Sequence, residues 1–252
     1  MIAAPIMGFE RKVSYTEDEA RLPYALERIK GSDRLVVVFP KLAPGQTRPA
    51  FGLRRLLGDF HAHRLYFGGD EHFFLGPKRE LRGLHAAYRH VQATMDELDI
   101  CREEVICLGT SAGAVGALLI GLEIGAGTII AGAPVFDLGS VFAEWEELEA
   151  AGKKGAAVKV LQEARDGDPG GEIEFLDSLI PTAAAKARYH SRVILYTSFF
   201  DYGYLSTMDF VERYRSHPLL SIECTHGTYA EHGEIGAPFK EFLQEQFVTL
   251  DV

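Results

Sequence analysis

One stretch, residues 104–122 (EVICLGTSAGAVGALLIGL), constrains this chain more than any other. It opens on an apolar run with the β-branched Val105 and Ile106 and ends in an Ala/Leu/Gly segment with helical spacing. Between the two stands Gly109-Thr110-Ser111-Ala112-Gly113, a G-x-S-x-G. A glycine two residues to either side of the serine permits a sharp strand-to-helix turn. A side chain at Gly109 or Gly113 would clash where the helix packs back on the strand. The serine then sits in strained backbone with its hydroxyl directed past the sheet edge. Such five-residue patterns also arise by chance. The strand before this one and the helix after it are what make it an elbow.

The rest of the chain supplies partners for such a unit. Residues 35–39 (LVVVF) form a continuous apolar run stopped by Pro40, as expected of a strand buried on both faces. Residues 64–67, 128–131, 193–197 and 219–224 read as further strands. Residues 79–98, 205–214 and 239–247 read as helices with one apolar face. Near the N-terminus, residues 12–15 suggest an edge strand and residues 20–29 a short helix. Steady strand–helix alternation implies an α/β fold: a mostly parallel central sheet with helices on both faces. Residues 137–190 interrupt it with helical pieces, at 142–150, 156–164, 173–180 and 183–189, around a D-G-D-P-G-G break. Strand signals resume directly afterwards. The expected organisation is therefore a core of residues 1–136 and 191–252 with residues 137–190 inserted as a helical cap.

Composition narrows the function classes. At 252 residues a single core can form without disulfide or metal staples. The three cysteines, Cys101, Cys107 and Cys224, match no disulfide or zinc spacing. Cys107 and Cys224 fall in strands, as small apolar residues. A formal charge of −10 disfavours nucleic acid or an anionic membrane as partner, and its plainer meaning is solubility. No apolar run reaches membrane-spanning length. The first twelve residues lack the basic segment of a signal peptide, so a cytoplasmic location is expected.

A nucleophilic serine needs a base, and the base needs an orienting acid. In elbow proteins the chain order is serine, acid, histidine. Asp201, in a loop just after the 193–197 strand, is the candidate acid; Asp209 is the fallback but lies within a helix. After the last strand two histidines compete, His226 and His232. His232 is nearer the terminal helix and is the preferred base, with His226 the alternative. The oxyanion formed during acyl transfer needs two fixed donors. One is the Ala112 N–H. The other must come from Lys41 or Leu42, because Pro40 has no N–H. His61 and His63 form an H-x-H, but the Asp-His continuation of a metallohydrolase is absent, so no metal is expected. Gly125-Ala126-Gly127 precedes a strand instead of opening a helix and fails the dinucleotide test, and no cofactor is expected.

With these residues in place, the chain from about residue 35 onward resembles the α/β-hydrolase superfamily. Within it the chain is similar to the branch of elbow-serine proteins found in capsular-polysaccharide biosynthesis and accessory secretion. That likeness rests on Phe74-Leu75-Gly76, the elbow, Ile129-Ile130-Ala131-Gly132-Ala133-Pro134 with Leu138-Gly139, Asp201-Tyr202-Gly203-Tyr204 and His232-Gly233. The resemblance implies a serine esterase or deacetylase acting on a small ester or an acylated glycan. It equally implies an O-acyltransferase of polysaccharide or glycoprotein, and the branch also contains components of larger assemblies, so a non-catalytic interaction protein stays open. A serine peptidase on the same fold is a further alternative.

Overall fold

The computed structural model describes residues 23–41, 53–54, 56–68, 82–137 and 172–250. In chain order the elements are β1 (Tyr24–Glu27), β2 (Leu35–Val38), β3 (His63–Phe67), α1 (Arg82–Leu98), β4 (Val105–Thr110), α2 (Ala112–Ile124), β5 (Thr128–Gly132), α3 (Glu172–Ala185), β6 (Ser191–Thr197), α4 (Tyr204–Tyr214), β7 (Leu220–His226) and α5 (Gly236–Thr249). The seven strands form one sheet in the order β1-β3-β2-β4-β5-β6-β7. All neighbours are parallel except β1, which runs antiparallel to β3.

Side chains alternate across the sheet, and both faces are covered. On one face Val37, Leu65, Cys107, Ile129 and Val193 pack with Val91 of α1, Leu118 of α2, Ile180 and Ala184 of α3 and Phe210 of α4. On the other, Val36, Val38, Leu108, Ile130 and Ile194 meet Phe239, Phe242, Leu243 and Phe247 of α5. Burial on both sides is why the central strands read as unbroken apolar runs. Cys107 is one of these core residues, and burial pushes the half-buried Cys224 thiol up to about 11. Both behave as small apolar side chains.

Two local elements differ from what the sequence predicts. Residues 24–27 are a strand, not part of a helix: Tyr24 to Glu27 pair with Phe67 to Arg64. The segment Tyr-Ala-Leu-Glu has good helix formers, but an open antiparallel edge on β3 outweighs that local preference. Residues 183–189 do not form a helix of their own; α3 is one helix that contains Pro181 and ends at Ala185. This helix comes from the segment assigned to the cap, and its Ile180 and Ala184 are buried in the core. The strand expected at 12–15, the Phe74-Leu75-Gly76 segment and residues 138–171, most of the segment expected to be a cap, lie outside the described residues.

The His63 ring is part of the fold. Its Nδ1 accepts the Ile29 N–H at 3.1 Å, and its Nε2 donates to the Ser32 carbonyl at 3.0 Å. Both ring nitrogens thus tie the β1–β2 turn to β3. Among the described residues, no group of three or more His, Cys, Asp or Glu could hold a metal ion. Burial is the main cause that lowers the His63 pKa, helped by the charges of Arg28 and His61 and opposed by the bond to Ser32. Burial and Arg89 lower that of His90 on α1 in the same direction.

The neutral ring is therefore the folded form of His63. A base with a depressed folded pKa contributes stability above its unfolded value of 6.5 and loses it as pH falls from there toward the folded value. The melting temperature is expected to drop between pH of about 7.5 and pH of about 5, and less steeply in His63→Gln. An identical pH slope in the variant would contradict this role.

Candidate active site

The C-terminal ends of the parallel strands converge on one edge, where open α/β sheets place their sites. Strand β4 delivers Ser111. Its backbone stands at φ 55° and ψ −125°, the positive-φ strain expected of the elbow, costing about 1–3 kcal/mol. Three backbone bonds hold it there: the Ser111 N–H donates to the Gly132 carbonyl of β5 at 2.8 Å, and the Ser111 carbonyl accepts the Ala114 N–H at 2.9 Å and the Val115 N–H at 3.4 Å.

Glycine is obligatory at both flanks. A Cβ on Gly109 would lie 2.2 Å from the Gly113 carbonyl oxygen, and one on Gly113 would lie 2.6 Å from the Phe39 carbonyl oxygen. The second contact also shows that the exit of β2 runs across the first turn of α2.

The loop after β6 carries Asp201, 4 % exposed. The loop after β7 carries His232 at the start of a short 3-10 turn, His232–Glu234. The structure brings these two together with Ser111. His232 Nε2 lies 2.8 Å from Ser111 Oγ, and His232 Nδ1 lies 3.0 and 3.2 Å from the two Asp201 oxygens. A carboxylate accepts, so Nδ1 carries the proton and Nε2 presents its lone pair to the serine hydroxyl. His226 is not part of this chain of bonds. It is the last residue of β7, exposed, and stacked on Phe199 at 4.6 Å. Asp209 sits exposed within α4.

Ala112 is the first residue of α2, so its N–H has no carbonyl one turn back to bond within the helix. It also lies at the positive end of the helix dipole. Lys41 is exposed and follows the Phe39-Pro40 segment that borders Gly113. Leu42, the other candidate donor, lies outside the described residues.

Behind the acid and beside the base stand residues to which chain order assigns no role. The Tyr229 hydroxyl donates to Asp201 Oδ2 at 3.0 Å, and the Gly203 N–H donates to Oδ1 at 2.9 Å. Ser198 Oγ donates to the Tyr229 carbonyl at 2.6 Å. The Tyr202 ring stacks on the His232 imidazole with centroids 4.3 Å apart. Phe199, Phe200 and Leu205 around this loop are exposed. The only signal for Tyr229 in the sequence is an aromatic residue in an otherwise polar loop, three places before the histidine.

No protein-family model and no curated protein matches the chain. Solved structures do. A glycosylation-associated protein complex, Gap123 from Streptococcus agalactiae, aligns at a TM-score of 0.68 and 17% identity. The alignment covers 94% of this chain and 46% of that one, so this chain spans about half of that protein's length. The capsule O-acetyltransferase of Neisseria meningitidis serogroup A aligns at 0.62 with 15% identity, over 92% of this chain and 97% of that one. A Pyrococcus furiosus esterase aligns at 0.60 with 19% identity, over 94% and 91%. Identities this low speak to architecture. Together with the strand order and the helices on both faces of the sheet, they show that the chain has the α/β-hydrolase fold.

Proposed function

We propose that this chain is a serine-dependent acyl hydrolase of the esterase or deacetylase type, acting on a small ester or an acylated carbohydrate through an acyl-enzyme. One observation carries the proposal: the 2.8 Å contact between Ser111 Oγ and a histidine nitrogen whose partner nitrogen faces a buried carboxylate. A serine hydroxyl is a weak nucleophile at its ordinary pKa, and this arrangement supplies its base.

In the first half-reaction Ser111 Oγ bonds to the ester carbonyl carbon while its proton passes to His232 Nε2. Asp201 holds the Nδ1–H and offsets the imidazolium charge. The carbonyl oxygen becomes an oxyanion, bound by the Ala112 N–H and a second N–H from Lys41 or Leu42. Collapse breaks the bond to the alcohol, which leaves with the proton from His232. Water then attacks the acyl-serine by the same steps in reverse. A sugar hydroxyl in place of water makes the same site an O-acyltransferase. The match over nearly the whole length of a capsule O-acetyltransferase favours that as the second reading.

The test is turnover of a short-chain p-nitrophenyl ester, with and without added oligosaccharide. Release of free acid supports hydrolysis, and acylated sugar supports transfer. No turnover by wild type in either assay would count for a non-catalytic interaction protein. Cleavage of peptides with no ester turnover would count for a peptidase.

The two histidines separate under the same assay. His226→Ala should alter kcat/KM by less than about threefold, because it removes only a surface stack. His232→Ala should reduce it by orders of magnitude. The reverse outcome would transfer the base assignment to His226.

A further inference from the structure

We infer that Tyr229 is a positioning residue for the acid: its phenol fixes the Asp201 carboxylate in the plane that receives His232. The inference rests on the proposed serine-hydrolase reading of the site. A carboxylate on a loop can rotate about its terminal torsion, which is broad and roughly two-fold. Here each oxygen has a donor of its own besides the imidazole. Gly203 N–H binds Oδ1 at 2.9 Å, and Tyr229 O–H binds Oδ2 at 3.0 Å. The Gly203 bond is part of the acid's own turn and moves with it. Tyr229 comes from the other loop, three residues before His232, so its bond spans the two loops that carry base and acid.

Two further bonds tie the same loops: Ser198 Oγ to the Tyr229 carbonyl at 2.6 Å and the Gly227 N–H to the Thr197 carbonyl at 2.6 Å. Tyr229 is 3 % exposed and its ring packs near that of Tyr196. Burial above all, then the Asp201 charge and the hydrogen bond to it, pushes the phenol well above the usual tyrosine range, with Thr197 opposing. The phenol therefore stays protonated and stays a donor wherever the serine chemistry operates.

Tyr229→Phe keeps the ring and removes only the donor. Two readouts test it in the full chain. In steady-state kinetics on a p-nitrophenyl ester, kcat should fall about tenfold with KM within about twofold, because the phenol is buried behind the carboxylate. In proton NMR of the resting protein, the downfield resonance of the His232 Nδ1 proton should move or broaden relative to wild type.

Unchanged kcat together with an unchanged resonance would overturn the inference, even if the melting temperature falls, since that pattern describes a merely structural tyrosine. The NMR readout needs no turnover. If wild type hydrolyses no ester, the hydrolase reading fails, while the resonance still decides the role of Tyr229. Should Tyr229→Phe fold poorly, Ser198→Ala removes a tether of the same loop pair without touching the carboxylate. It should show the same resonance change in weaker form, and an unaltered spectrum there would also contradict the inference.

Discussion

Replacing Ser111 with alanine is expected to lower kcat for ester turnover by roughly 10⁶-fold, to the level set by binding and the oxyanion donors alone. The fold should be little affected. Ser111 is only half-buried, and its side chain makes the bond to His232 Nε2. Its structural work is done by the backbone, through the Gly132 carbonyl and the Ala114 N–H, which alanine retains. Alanine also bears the positive φ at much the same cost as serine. The expected signature is a melting temperature within a few degrees of wild type and an activity lost almost completely. An activity reduced only a few-fold would mean that the reaction runs elsewhere on the molecule.

Gly109→Ala is expected to do the opposite and destroy the structure that presents the serine. The new Cβ would meet the Gly113 carbonyl oxygen at 2.2 Å, its carbon at 2.3 Å and the Ala114 nitrogen at 2.9 Å. All three are backbone atoms, so no side-chain rotation relieves the clash. Either α2 lifts from β4 or the elbow opens, and both uncover Leu118 and Cys107, which are fully buried. Overpacking of this kind costs about 3 kcal/mol or more. A urea denaturation midpoint should fall accordingly, with activity lost in the soluble fraction as well. A variant as stable and active as wild type would show that helix and strand are not in contact at this point.

Most of the strands legible in the sequence are buried on both faces; the half-exposed edge strand Leu220–His226 was legible too, with apolar Leu220, Ile222 and Cys224 alternating with polar residues. Leu35–Val38 and Thr128–Gly132 could be recognised because Leu35 to Val38 and Ile129 to Ala131 are unbroken apolar runs. The strand Tyr24–Glu27 was not legible. It lies at the edge, and its partner β3 is some forty residues away, so nothing local signals the pairing. Ser111 and Asp201 followed from chain order, since each sits directly beyond a readable strand. The preference for His232 over His226 was a weaker inference, because both residues follow the same strand. What separates them is that β7 runs on to His226, paired with Thr197, and only the loop beyond it turns back over Ser111. Tyr229 was invisible for the same reason: a hydrogen bond across 28 residues between two loops leaves no periodicity to read.

In the proposed reaction Ser111 is the nucleophile, activated by His232. A fluorophosphonate probe tests this role directly, because the probe phosphonylates a serine only when that serine is activated. After incubation of the wild-type chain, digestion and mass spectrometry should find the adduct on the peptide that contains Ser111. Ser111→Ala should carry none, and His232→Ala should label far more slowly. No adduct on wild type, or one retained in Ser111→Ala, would contradict that role.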